Sequence, residues 1–253
     1  MIDSHCHIND DAFYKEASKY IEEAKSNGVS KFLIVGCDLL SSKRAVEIAE
    51  KFDCCYAAIG IHPEDAMHAQ ENDIEEIEKL INNKCVVAIG EIGLDYYWEK
   101  EQNNRELQRK YFIKQIDLAN KYNLPISIHC RDAYGETLSI LKEHRVNRGG
   151  VMHCYGGSKE MAVEFIKLGF VIGIGGTVTF KNAVQPKEVA ASIPDDKFLL
   201  ETDSPYLAPV PHRGEQNHSK YIPLICEQIA ALRNESIEQV SKQTDETFKK
   251  LFL

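Results

Sequence analysis

Short, almost wholly apolar runs alternate with longer segments in which apolar residues recur every three or four positions, and this rhythm persists along the chain. The apolar runs predict strands over Ile2–His7, Lys31–Cys37, Cys55–His62, Cys85–Glu91, Ile126–Arg131, Val151–Tyr155, Phe170–Gly176 and Phe198–Asp203. Most are too continuously apolar to have one wet face, as expected of a parallel sheet covered by helices. The periodic segments predict helices over Phe13–Ser26, Ser41–Lys51, Ile74–Asn82, Asn103–Tyr122, Tyr134–His144, Lys159–Leu168, Pro186–Ser192, Lys220–Arg233 and Ser236–Leu251. In the first of these, Ala17, Tyr20, Ile21 and Ala24 share a face. Gly28 and Gly169 stand just past helix ends, where a left-handed cap is easiest for glycine. Strand–helix alternation repeated eight times predicts an α/β fold, a single-domain (β/α)8 TIM barrel over residues 1–253. A doubly wound open sheet is the architectural alternative. The longest break, Ser204–Ser219, follows the last strand and would overhang the C-terminal mouth of a barrel, where loops carry function.

Composition narrows the picture. With 253 residues and 43% hydrophobic content, the chain can bury one large core. No stretch approaches the roughly 20 apolar residues a membrane helix needs. No signal peptide is visible before the strand that starts at Ile2, so the expected compartment is the cytoplasm. The eight cysteines are then expected as thiols, without a CxxC pair that would suggest a structural zinc site. Cys6, Cys130 and Cys154 each adjoin a histidine, and strand alternation turns them to the opposite face as small buried hydrophobes. A net charge of −9 argues against a protein whose main task is gripping nucleic acid. It leaves room for an enzyme that touches nucleic acid briefly, because bound cations supply positive charge locally.

The chemistry collects at the ends of the predicted strands. His5 and His7 close the first, His62 the third, Glu91 the fourth and Asp203 the eighth, while His129 and His153 lie near the ends of the fifth and sixth. In a parallel barrel all seven converge on one face, which suits a divalent metal site. His68 and His144, in a loop and at a helix end, read as surface residues, and His212 and His218 belong to the polar loop after the last strand. Four histidines favour zinc or manganese on ligand chemistry alone.

The segments Asp3-Ser4-His5-Cys6-His7, Gly60-Ile61-His62-Pro63, Gly90-Glu91-Ile92-Gly93-Leu94-Asp95, His129-Cys130-Arg131-Asp132-Ala133, His153-Cys154-Tyr155-Gly156-Gly157 and Glu201-Thr202-Asp203-Ser204-Pro205-Tyr206-Leu207 carry a resemblance. Together with Gly176-Thr177-Val178-Thr179-Phe180, they resemble the TatD family of metal-dependent deoxyribonucleases, within the amidohydrolase-like barrels. The resemblance implies two adjacent divalent cations, magnesium by family habit. It assigns His5, His7 and Asp203 to one and His129 and His153 to the other, with Glu91 bridging. Two departures stand out. Ser219 occupies a position where proline is usual after Arg213, Gly214 and Asn217, and Tyr155 and Gly156 replace phenylalanine and serine.

The expected activity is hydrolysis of DNA phosphodiester bonds, as an exonuclease on single-stranded ends, with DNA as a transient partner and no stable protein partner implied. Asp203 would take the proton of the attacking water, Glu91 would bridge, and His62 would steady the phosphoryl oxygens or leaving group. Arg131, Lys181 and Arg213 are candidates for flanking phosphates, and Glu201, on the same strand face as Asp203, for holding a ligand in place. The same site would serve an amide or ester hydrolase, such as a D-aminoacyl-tRNA deacylase. A non-catalytic metal scaffold is disfavoured by the intact Glu201-Thr202-Asp203-Ser204-Pro205 segment.

Overall fold

Eight parallel strands hydrogen-bond in chain order in the computed structural model, which describes residues 1–253. They are β1 (Ile2–Cys6), β2 (Lys31–Val35), β3 (Cys55–Ile59), β4 (Val86–Asp95), β5 (Ile126–Arg131), β6 (Gly150–Met152), β7 (Phe170–Ile174) and β8 (Phe198–Leu200). The intervening helices are α1 (Ala17–Ser26), α2 (Leu39–Lys51), α3 (Asp73–Leu80), α4 (Gln102–Tyr122), α5 (Tyr134–Glu143), α6 (Lys159–Lys167) and α7 (Val184–Ser192). Two more, α8 (Ile222–Arg233) and α9 (Ile237–Phe252), follow the last strand. This is the (β/α)8 barrel. The predicted helices match to within a few residues, and Gly28 and Gly169 adopt φ of 86° and 96° just past their helices.

The strand ends differ from expectation. β1, β2, β3, β6, β7 and β8 stop before His7, Cys37, His62, Tyr155, Gly176 and Asp203 respectively, whereas β4 runs on to Asp95. Beyond these points the backbone leaves the ladder: Cys154 and Asp203 take φ of 44° and 58°, and His62 N donates to Cys37 O at 2.7 Å. Ladder geometry would fix side-chain direction by alternation. Leaving it frees His7, His62, His153 and Asp203 to lean over the mouth.

Inside the barrel, Leu33, Val35, Ala58, Val87, Val151, Val171 and Leu199 pack together with Phe248, Leu251 and Phe252 of α9. That helix covers the end where strands begin, with Asp245 3.7 Å from the Met1 amine and Arg148 donating to Leu251 O. Burying Phe248 alone contributes about 1.5–3 kcal/mol. The neighbours of these strand residues, Phe32, Ile34, Ile59, Ile128 and Ile172, face outward into the larger core under the helices. One end of the barrel is therefore plugged, and ligands reach the other.

Closure between β8 and β1 is polar. Asp203 N donates to His5 O and His7 N to Ser204 O, both at 2.9 Å, and Cys6 bridges Ser204 in parallel. Behind this seam the fully buried Asp3 carboxylate accepts from Thr202 N (3.0 Å), Thr202 Oγ1 (2.6 Å), Ser219 Oγ (2.6 Å) and, more weakly, His5 N (3.3 Å). Burial lifts its pKa to about 7 against the pull of those donors. Ser219 N also donates to the Tyr20 hydroxyl at 2.7 Å. A proline at 219 could make neither bond, so the departure noted above has a structural use here. Asp3→Ala would strand several buried donors at about 1–3 kcal/mol each, without full additivity. We expect it to lower unfolding stability by ~3 kcal/mol or more in urea titrations; a change below ~1 kcal/mol would show that the seam does not depend on Asp3.

Candidate metal centre at the barrel mouth

Irregularities in two strands aim the central residues. Along β4 the pairing passes from Ile89↔Ile126 to Ile92↔Ile128, three steps against two, so one extra residue is accommodated beside Glu91. β1 does the same between Asp3 and Cys6, beside His5. Such bulges commonly re-aim a side chain at a functional site. Two residues on, Gly93 has φ 141°, and an added Cβ would lie 2.0 Å from His129 O. Only glycine lets β4 approach β5 this closely.

Glu91 sits at the centre, 3% exposed. Its Oε2 lies 3.3 Å from His5 Nε2 and 3.6 Å from His7 Nε2. The other oxygen, Oε1, lies 3.0 Å from His129 Nδ1, 3.1 Å from His153 Nε2 and 3.5 Å from His62 Nε2. Asp203 Oδ1 completes the first side, 3.4 Å from His7 Nε2 and 3.8 Å from His5 Nε2. The structure thus brings together all seven residues at the strand ends, with one Glu91 oxygen facing each side.

The far nitrogens of the imidazoles show what the near ones offer, since a histidine's tautomer follows its partners. His7 Nδ1 meets Val35 O at 2.9 Å, and a carbonyl only accepts, so Nδ1 carries a proton and Nε2, in the neutral ring, a lone pair. His129 Nε2 meets Asp95 Oδ2 at 2.9 Å, leaving Nδ1 to face Glu91. His153 Nδ1 faces Glu201 Oε1 at 3.4 Å, and His5 Nδ1 meets Ser127 Oγ at 3.3 Å. Tying the outer nitrogen of a ligating histidine in this way fixes the ring and raises its basicity. His62 is wired oppositely. Its Nδ1 accepts from Glu64 N at 3.2 Å, so the neutral ring carries its proton on Nε2, toward Glu91.

Without an ion the imidazoles differ in charge: burial opposes protonation, but Cys37 and Asp203 around His7, Asp95 and Glu91 around His129, and Glu91 and Asp203 around His153 hold these three above their usual range. Burial opposes the charge on Glu91, but the imidazoles around it, His153 foremost, outweigh it and hold the carboxyl well below its usual range. Asp203 is likewise held ionised against burial, chiefly by His153 and by its bond to His7. Burial and the neighbouring His129 push His62 down to about 3, so it is neutral. His5, buried and stacked on His153 at 3.7 Å between centroids, is lowered as well.

The donor set fits divalent cations. Imidazole nitrogens and carboxylate oxygens crowd at 3.0–3.8 Å around one space, most plainly His5 Nε2 and His7 Nε2 at 3.2 Å. Ligands about 2.1 Å from one ion stand roughly 3.0–3.4 Å from each other, which is this spacing. His5, His7 and Asp203 form one group of potential ligands; His5, Glu91 and His153, and His62, Glu91 and His129, form others.

The basic candidates stand apart from the cluster. Arg131, Lys181 and Arg213 are all exposed; Arg131 lies over the Tyr97 ring at 3.8 Å and Arg213 over the Phe180 ring at 4.5 Å. Glu201 also accepts from Cys154 N. Three contributors lay outside the expected set. Cys37 Sγ is 3.8 Å from both His7 Nδ1 and Glu91 Oε2, and nothing in its sequence neighbourhood points there. Asp95 shares the strand face of Glu91 and Gly93, so alternation alone would have found it. Asp3 shares a face with His5 by the same rule. All eight cysteines are free, and His212 and His218 stack on Tyr221 and Tyr20 in the loop region, away from the cluster.

A barrel with this cluster over its strand ends defines a metal-dependent hydrolase. The chain belongs to the TatD family: the family model described as TatD related DNase matches residues 2–253. An uncharacterized metal-dependent hydrolase of Bacillus subtilis, YabD, is 44% identical over 253 residues, covering 100% of this chain and 98% of that one. The 3'-5' ssDNA/RNA exonuclease TatD of Pectobacterium carotovorum is 32% identical, covering 100% and 99%. Among solved structures, the TatD homologue YjjV of Escherichia coli superposes with a TM-score of 0.95 at 30% identity, covering 100% of this chain and 97% of that one. No helix is long and apolar enough to cross a membrane.

Chelation should loosen the mouth. Cations that bind the folded chain at 100 times their dissociation constant stabilise it by about 2.7 kcal/mol. Thermal unfolding of the protein as purified should therefore shift down by several degrees in EDTA and recover with magnesium, manganese or zinc; identical melting curves would show that the cluster holds no ion.

Proposed function

We propose that the protein hydrolyses phosphodiester bonds in nucleic acid, acting as an exonuclease on single-stranded ends. The observation that carries this reading is Glu91 itself, with one oxygen toward His5, His7 and Asp203 and the other toward His129, His153 and His62. His5, His7 and Asp203 would hold one divalent cation and His129 and His153 a second, with Glu91 between them. Bound there, cations neutralise phosphoryl oxygens and acidify water near them. The named exonuclease activity of the Pectobacterium relative supports the choice of bond.

The chain's own groups fill the remaining roles. Asp203, ionised and at the mouth, accepts the proton of the water that attacks phosphorus. His62 offers an Nε2–H to a phosphoryl oxygen or to the leaving oxygen, a donor its Glu64 contact keeps in place. Arg131 and Arg213 meet phosphates beyond the scissile one, where a planar guanidinium binds in bidentate fashion. Lys181 adds a point charge on the same rim. The cytoplasm is the compartment we propose for this activity.

Two substitutions test the roles. Asp203→Asn should lower the turnover of a 3′-labelled single-stranded oligonucleotide by about 10³-fold, and His62→Ala by about 10²-fold. Metal content and unfolding midpoints of both variants separate loss of chemistry from loss of ions or fold. Undiminished turnover in Asp203→Asn would remove it as the proton acceptor. Acylated tRNA cleaved while single-stranded DNA and RNA persist would move the enzyme to the ester-hydrolase reading.

A further inference from the structure

The turn after β4 exposes the chain's single tryptophan. Trp98 is 63% exposed and Tyr97 43%, although burying rings of this size is among the larger gains available to a fold. The turn is nonetheless tied down. Asp95 Oδ1 accepts from Tyr97 N at 2.9 Å and Trp98 N at 3.0 Å, Lys100 Nζ donates to Tyr96 O at 2.7 Å, and Arg105 Nε donates to Glu99 O at 3.0 Å. Tyr97 is braced twice more: the Trp98 ring stands edge-on to it at 4.7 Å and 85°, and the Arg131 guanidinium covers it at 3.8 Å. Most of the indole remains open to solvent, beside a cation.

Its tie to the centre is direct. The same Asp95 carboxylate that holds the turn through Oδ1 holds His129 Nε2 through Oδ2 at 2.9 Å. Arg131, which faces the platform, pairs in register with Asp95 and lies two residues beyond His129. A ligand stacked on Trp98 is thereby indexed to the cluster through one carboxylate.

We propose that Trp98, braced by Tyr97, is a stacking platform for an unpaired base of a single-stranded nucleic acid, with Arg131 meeting the phosphate beside that base. This rests on the phosphodiesterase reading above. Aromatic faces accept any base, and stacking supplies affinity that does not depend on net positive charge. That suits a chain with 39 acidic against 30 basic residues, whose overall field repels a polyanion.

The sole tryptophan makes the test clean. A phosphorothioate oligothymidylate, which resists hydrolysis, should quench Trp98 fluorescence saturably, whereas an abasic oligonucleotide of equal length and charge should not. Trp98→Ala should raise KM for single-stranded DNA about tenfold. Its kcat, and its hydrolysis of bis(p-nitrophenyl) phosphate, which has no base, should stay within about twofold of the parent. Trp98→Phe should recover most of the loss. Unchanged KM in Trp98→Ala, or equal quenching by the abasic strand, overturns the platform. If no nucleic acid is hydrolysed, the phosphodiesterase reading fails by itself, and the quenching comparison still decides whether bases stack here.

Discussion

A buried carboxylate between two sets of imidazoles is the constraint on which this molecule turns. Isolated in a barrel, the charge on Glu91 would be prohibitive, and leaving a buried charge without partners costs several kcal/mol. Here His5 and His7 face one oxygen and His62, His129 and His153 the other, so protons on the imidazoles, or cations in place of those protons, balance the charge. The bulge in β4, the close approach at Gly93 and the early strand ends are the backbone irregularities that make this possible. An ideal barrel with regular ladders would point these groups at one another less well.

Around that centre lies a ring of groups that govern what the inner nitrogens offer. Val35 O and Asp95 each take the outer nitrogen of a histidine, Glu201 faces that of His153 at 3.4 Å and Ser127 lies beside that of His5, while Glu64 N gives to His62. The difference between accepting and donating at one ring atom separates His7 and His129 from His62. Most of these partners sit on strands or at strand ends rather than on long loops. The centre is consequently as rigid as the sheet that carries it.

Much of this was legible in the chain. Helix boundaries follow from apolar spacing because each helix buries one stripe, and the strand order follows from eight alternations with short connections. The residues at the mouth were legible because polar side chains at the ends of apolar runs have few other reasons to be there. The strand ends themselves were not, since Asp203 and Cys154 follow directly on apolar runs and read as extended until a positive φ takes them out of the ladder. Nor was the His62 tautomer, which depends on a backbone amide two residues away, nor the pairing of Asp3 with Ser219, separated by 216 positions. Long-range polar contacts leave no periodic trace.

The polar seam between β1 and β8 has a consequence for how the protein comes into being. Asp203 is the last of the cluster residues in sequence, and its backbone is hydrogen-bonded to His5 on the first strand. During synthesis, a ribosome-bound chain carries the histidines and Glu91 before Asp203 emerges. The cluster is therefore completed only by the event that also joins β8 to β1, so assembling the site and closing the barrel are one step.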